Sequence, residues 1–203
     1  MKTNIGLIPI FTAAIAAVSL SPTAFAALTL VNGNFESTTG YTPAPNANWR
    51  NGTATGWTNG TPAVANDYKF NTTNGTSQFQ VNLEALSSSS APFYQNLGTL
   101  DTESTITLTF ALTVAGTMDA AIWSNGGLTA LATLGTTSTV GTKTLTVSNV
   151  AAGTAIRIGF WDTTTSGNPM IDNVTMSVVA VPEPHSALLG GLGVLALLRR
   201  RRN

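Results

Sequence analysis

From Ile106 to Val114 every second residue is apolar (Ile106, Leu108, Phe110, Leu112, Val114), and three of the four residues between them are threonine. A period of two puts the apolar set on one face of an extended chain and the hydroxyls on the other, so this segment reads as a half-buried strand and not as a helix. Threonine keeps β propensity on a wet face without adding charge. The same rule holds at Phe79/Val81/Leu83, Leu145/Val147, Ile156/Ile158/Phe160 and Val174/Met176/Val178. Gly, Asn, Ser and Thr punctuate the runs, and no stretch between residues 27 and 180 shows helical periodicity. Those 154 residues suffice for one domain with a sizeable core. The expected fold is all-β, an antiparallel β-sandwich. Ser87 to Ser90, followed by Pro92, reads as a loop within it.

Both ends break the pattern. Lys2 precedes an apolar stretch from Ile5 to Leu20, and Pro22 leads into Ala24-Phe25-Ala26, a small-x-small cleavage site. Residues 1–26 are therefore expected to be a signal peptide whose apolar stretch is helical, with Ala27 first in the mature chain. At the other end Val181-Pro182-Glu183-Pro184 is followed by an apolar run from Ala187 to Leu198, then by Arg199, Arg200, Arg201 and Arg202. As a short hydrophobic helix the run spans roughly 18 Å, against about 30 Å of bilayer hydrocarbon. Gly190, Gly191 and Gly193 weaken it further. A temporary hold tolerates that weakness better than a permanent anchor does. Four arginines at the extreme end predict a cytoplasmic C-terminus and a domain on the other side of the membrane.

A Pro-Glu-Pro turn, an apolar run and an arginine cluster in this order resemble the PEP-CTERM sorting signal. In that family an exosortase, a membrane-embedded processing enzyme of Gram-negative bacteria, recognises the tail, and the carriers are secreted proteins linked with exopolysaccharide and biofilm matrix. The resemblance implies that residues 181–203 contact the inner membrane transiently and that the protein passes to the cell surface or extracellular matrix.

Without both ends the charged residues are Arg50, Lys69, Lys143 and Arg157 against Glu36, Asp67, Glu84, Asp101, Glu103, Asp119, Asp162 and Asp172, four against eight. A mildly acidic domain argues against nucleic acid as a partner. The chain has no cysteine, so no disulfide stabilises the exported domain.

Leu30-Val31-Asn32-Gly33-Asn34-Phe35-Glu36, then Gly56-Trp57, and the closing Ile171-Asp172-Asn173-Val174-Thr175-Met176 resemble the first and last strands of galactose-binding-like jelly rolls, among them carbohydrate-binding modules. The resemblance implies a jelly-roll sandwich with Trp57 in its core. It also implies a structural calcium held by Glu36, Asp172 and the carbonyl of Asn34. From the residues themselves, Asp172 shares strand phase with Met170, Val174, Met176 and Val178, and a carboxylate facing a core is expensive unless paired or metal-bound. The other reading has Glu36 exposed and Asp172 capping a turn or pairing with Arg157.

Aromatics outside the expected core are Trp49, Tyr68, Tyr94, Trp123 and Trp161. Rings stack on the apolar face of a pyranose, which makes these the candidate glycan contacts, with packing at the rim as the plainer role. Trp123 follows Ile122 and Trp161 follows Phe160, so both fall out of core phase and are expected to be exposed.

Catalysis finds little support. The single histidine, His185, lies in the tail, so the domain has no histidine-based triad or histidine-rich metal site. Its acids sit mostly in turn-like contexts, and Asn125-Gly126-Gly127 is a turn with no helix behind it. The expectation is a non-catalytic secreted protein of the cell surface or matrix; a dedicated carbohydrate-binding module is the alternative, and a secreted hydrolase the third.

Overall fold

A computed structural model describes residues 28–43, 49–60, 69–72, 79–83, 92–124, 129–181, 190–193, 196–197 and 199–200. The expected signal peptide, the Ser87–Ser90 loop, Tyr68, Asn125-Gly126-Gly127, Pro182-Glu183-Pro184, Arg201 and Arg202 lie outside the described residues.

The elements run β1 (Thr38–Pro43), β2 (Trp49–Ala54), β3 (Thr58–Asn59), β4 (Lys69–Thr72), β5 (Phe79–Asn82), β6 (Phe93–Thr99), β7 (Ser104–Ser124), β8 (Ala130–Thr133), β9 (Gly141–Val150) and β10 (Ala155–Ala180). Every pairing between them is antiparallel. The all-β architecture expected from the alternating runs is present, and each of those runs falls within a strand or ends one residue beyond it.

Two long strands organise the fold. β7 and β10 pair from Ile156↔Ser124 to Ala180↔Ser104, with register slips between Asp162 and Thr175. Phe110 and Phe160 lie ten ladder positions apart, since Phe160 pairs with Ala120. That separation is about 33 Å along a straight ribbon. Their rings nevertheless meet edge to face at 4.9 Å. The ribbon therefore doubles over on itself where Gly116 faces Gly167. A Cβ on Gly116 would stand 2.5 Å from the Pro169 nitrogen, so only glycine fits the inside of that bend.

Doubling over makes two layers from one ladder. The first contains β9, the start of β7 and the end of β10, continuing through β5, β4, β2 and β1; the second contains β8, the end of β7, the start of β10, β6 and β3. Between them the core holds Ile106, Leu108, Phe110 and Leu112 from one layer and Phe93, Ile122, Ile156, Ile158 and Phe160 from the other, all buried. Trp57 is stacked on Phe93 at 4.7 Å, in the core as expected.

On the solvent side of the first layer the threonines form rungs. Thr107 and Thr146 bring their hydroxyls within 3.2 Å of each other, and the Thr175 hydroxyl donates to the Thr109 carbonyl.

One element departs from expectation. Leu30 to Glu36 is a turn and connecting segment and not a strand. Asn32 and Phe35 have φ of 53° and 56°, in the left-handed region that breaks an extended ladder and that a bulky residue such as Phe rarely occupies. Burial accounts for Phe35, whose ring is closed off from solvent and lies 5.3 Å from Trp57 and 5.8 Å from Phe93.

Candidate functional site

The opening segment is fastened to both layers. The Thr29 amide donates to the Leu97 carbonyl, so the chain enters beside β6. Buried Gln95 then takes the place of a strand partner: its Oε1 accepts from the Val31 amide at 2.8 Å and its Nε2 donates to the Val31 carbonyl at 2.9 Å. The Trp57 indole donates to the Val31 and Asn32 carbonyls. The Asn32 side chain accepts from the Ser37 amide and donates to the Ser37 carbonyl. Finally the Val174 amide donates to the Gly33 carbonyl at 2.8 Å, tying this segment to β10 in the other layer. A Cβ on Gly33 would lie 2.0 Å from the Val174 carbonyl oxygen, which explains the glycine between two asparagines.

Of the three residues implied for calcium, Asn34 lies in this latch, and Glu36 and Asp172 are near enough for the charge of one to act on the other. Asn34 lines an open cavity of about 520 Å³ with Asn32, Gly33, Leu28, Leu30, Val174 and Met176. Asp172, two residues before Val174, is only 8% exposed, but not through the strand phase expected for it: it pairs with Ala111 while its neighbour Ile171 pairs with the core residue Leu112, and the register slip after Asp172 returns Met176 to the core side opposite Leu108. Burial pushes its carboxyl up to about 6, the Asn173 amide holds it back, and the charge of Glu36 raises it further. Both Asp172 oxygens accept from Asn173, whose φ of 51° brings its amide within 2.6 Å. Asp172 thus turns onto its own neighbour and not onto Arg157, and Glu36 is exposed. Two carboxylates meet here; among the described residues no group of three or more His, Cys, Asp or Glu side chains is placed to hold a metal.

Three of the five candidate aromatics share one surface, the outer face of the second layer. On β6 and β10 the inward residues are Phe93, Gln95 and Leu97, and Ile156, Ile158 and Phe160, which leaves Tyr94, Asn96, Arg157, Gly159 and Trp161 facing outward. Trp123 of β7 pairs with Arg157 and belongs to the same face. The Arg157 guanidinium sits 4.3 Å above the Tyr94 ring and donates through Nε to the Asn96 Oδ1 at 2.8 Å. Trp123 and Trp161 lie 5.6 Å apart, tilted by 34°.

The expected exposure of these two tryptophans is corrected: they are 6% and 7% exposed. Gly159 is one reason, because the Trp123 ring lies where a Cβ on residue 159 would be, 2.5 Å from it. Outward phase was a poor guide to exposure where a neighbour without a side chain lets a large ring lie flat. Trp49 belongs to β2, and its side chain and Tyr68 are outside the described set.

Of the acids, Asp119 has its carboxyl raised by burial, against the amides of Ala120 and Gly135 that lower it. It faces outward beside Trp161, while Asp162 is buried on the core side, its Oδ1 accepting from the Thr164 amide. The two lie on opposite faces of one layer and make no acid pair. Gln95, Asn32 and Arg157 were not singled out as site residues. Gln95 was findable, since it occupies the core phase between Phe93 and Leu97.

Beyond Val181 the described tail residues 190–193, 196–197 and 199–200 are helical and exposed, with Leu192 at 54% and Leu197 at 70%. They do not pack on the sandwich. No helix among the described residues is long and apolar enough to cross a membrane. The PEP-CTERM protein-sorting motif matches residues 180–202. The chain carries a PEP-CTERM sorting signal. Such a signal implies export, transient C-terminal anchoring, processing by an exosortase-type enzyme and sorting to the cell surface.

For the domain ahead of the PEP-CTERM signal, no curated protein matches significantly. Among solved structures it is similar to a cyclase from Fischerella sp. TAU, in complex with 4-(1H-indol-3-yl)butan-2-one, at 16% identity and a TM-score of 0.52 over 77% of this chain and 98% of that one. It also resembles the CBM22-1 xylan-binding domain of Paenibacillus barcinonensis Xyn10C, at 11% identity and a TM-score of 0.44 over 64% and 90% of the two chains. A family-4 carbohydrate-binding module follows at 19% identity and a TM-score of 0.39, over 61% and 95%. At such identities the likeness to the cyclase shows a shared fold alone.

Proposed function

We propose that this PEP-CTERM protein is a non-catalytic component of the cell surface or extracellular matrix, associated there with exopolysaccharide or biofilm. The sorting motif carries the reading, because it continues without a break from the last strand of a β-sandwich. Support for a non-catalytic role comes from the single histidine lying in the tail and from Asp119 and Asp162 facing opposite ways. The test is to delete the sorting enzyme in the source organism, locate the protein and weigh it. Loss of the tail after Pro-Glu-Pro and release to the surface in the parent strain, with retention in the membrane of the deletion strain, is the expected pair of results. Released protein that still carries Arg199 to Arg202 would refute the proposal.

A structural calcium belongs to the same proposal. Glu36 and Asp172 repel each other at the latch, and a divalent cation there relieves both that repulsion and the burial of Asp172. Asn34 would add its carbonyl, and loop carbonyls or water would complete the six to eight oxygens calcium takes. When bound, the ion joins the opening segment to β10. Polysaccharide affinity is assigned to the outer face carrying Tyr94, Asn96 and Arg157, where an exposed amide and a guanidinium offer hydrogen bonds to hydroxyls.

A further inference from the structure

Both ends of the described domain leave it on one side. β10 stays paired until Ala180↔Ser104, and the Val181 amide still donates to the Glu103 carbonyl at 2.8 Å. The sorting match begins at residue 180, so the signal starts inside the last strand with no linker. Ser104 pairs in turn with Val150 of β9, and Leu100 exchanges backbone hydrogen bonds with Gly153 and Thr154. Residues 100–104 and 150–154 therefore form one closed end of the sandwich, directly beside Val181. Leu28 is at this end too: the Thr29 amide bonds Leu97, and the Leu28 side chain reaches toward Gly98, next to the Thr99↔Ala155 rung.

Five residues, 182–186, separate Val181 from the start of the apolar run at Ala187. Fully extended they reach about 18 Å. At the front, residues 21–27 separate the expected signal segment from Leu28, and seven residues reach about 25 Å. Once the signal peptide is removed the C-terminal tether alone remains, and its shortness keeps the end that carries Val181 nearest the membrane.

Resting on the sorting proposal above, we propose that this end, from Leu100 to Ser104 and from Val150 to Thr154, is the surface that meets the outer side of the membrane-embedded processing enzyme. A protein partner fits it better than the bilayer does. The end exposes Asp101, Glu103, Ala151 and Ala152, with no lysine or arginine in either segment, and anionic headgroups attract basic segments and not acidic ones. Small side chains and two carboxylates suit a polar or basic protein surface. The opposite end, near the Gly116 bend, carries exposed Val114 and Val140 and lies a whole strand length from the tether.

The experiment places a photo-crosslinking amino acid at Thr102, at Ala152 or, as the distal control, at Val140, in the full-length precursor, in cells whose processing enzyme bears an affinity tag. Adducts to the tagged enzyme from Thr102 and Ala152, at least several-fold above Val140, are expected. Equal adducts at all three sites, adducts from Val140 alone, or lipid adducts alone at Thr102 and Ala152 would overturn the assignment. Tail removal is followed by mass in the same cells. If the tail stays on, the sorting proposal fails; if it is removed while the crosslinks fall elsewhere, only the docking surface fails.

Discussion

The Val174 amide and the Gly33 carbonyl, 2.8 Å apart, make the hydrogen bond that joins the opening segment to the final strand, with their backbones too close for a side chain at residue 33. Gly33→Ala therefore has to push Val174 away. The expected cost is at least about 2 kcal/mol, at the upper part of the range for overpacking, because the obstacle is backbone. Chemical denaturation measures it; a loss under about 0.5 kcal/mol would show that the latch yields freely.

Asp172 gives a pH signature with a definite sign. Its carboxyl is raised in the folded state from 3.8 to about 6, so the folded protein binds a proton that the unfolded chain has released. Without metal, stability falls as pH rises from about 4 to about 6 and then levels off. Calcium at pH 7 should raise the Tm, and Asp172→Asn should remove both the pH slope and the calcium response. Thermal melts with and without chelator read all three; unchanged melts at millimolar calcium exclude the ion.

Gly159 leaves room for the Trp123 ring on the outer face of the second layer. Gly159→Ala should lift that ring, shift tryptophan emission to longer wavelength and cost about 1–3 kcal/mol. Emission identical to the parent protein would mean that the ring has another place to go.

For polysaccharide binding, the informative substitutions are Tyr94→Ala and Arg157→Gln, because both side chains are partly exposed. Trp123→Ala is a poor probe: truncating so buried a ring costs about 3–5 kcal/mol and confuses unfolding with lost contact. Pull-down with matrix polysaccharide should weaken at least several-fold in either of the first two variants while their melts stay near the parent. Undiminished retention of both would remove this face from consideration.

Much of the frame is legible in the chain itself. Period-two runs mark β5, β7, β9 and β10 because a strand that buries one face must alternate, but the register slip between Asp172 and Thr175 takes Asp172 out of the phase it shares in sequence with Val174 and Met176. The opening motif misleads because left-handed backbone at Asn32 and Phe35 leaves no trace in periodicity. Coverage of Trp123 and Trp161 escapes for another reason, since it depends on residues brought alongside from distant parts of the chain, Gly159 among them. Nor does the alternation from Ile106 to Val114 reveal that the 21-residue β7 serves two layers. That fact rests on the contact between Phe110 and Phe160.

A strand shared between layers also fixes how the body bears load. The tail follows directly on β10, so a pull through Val181 enters the half of that strand from Met170 to Ala180, which is laced to β7. Antiparallel rungs lie crosswise to such a pull and resist together, as threads in shear resist better than a zip. For a protein drawn toward a membrane by one end, the point of attachment is thus a paired strand and not a loose end.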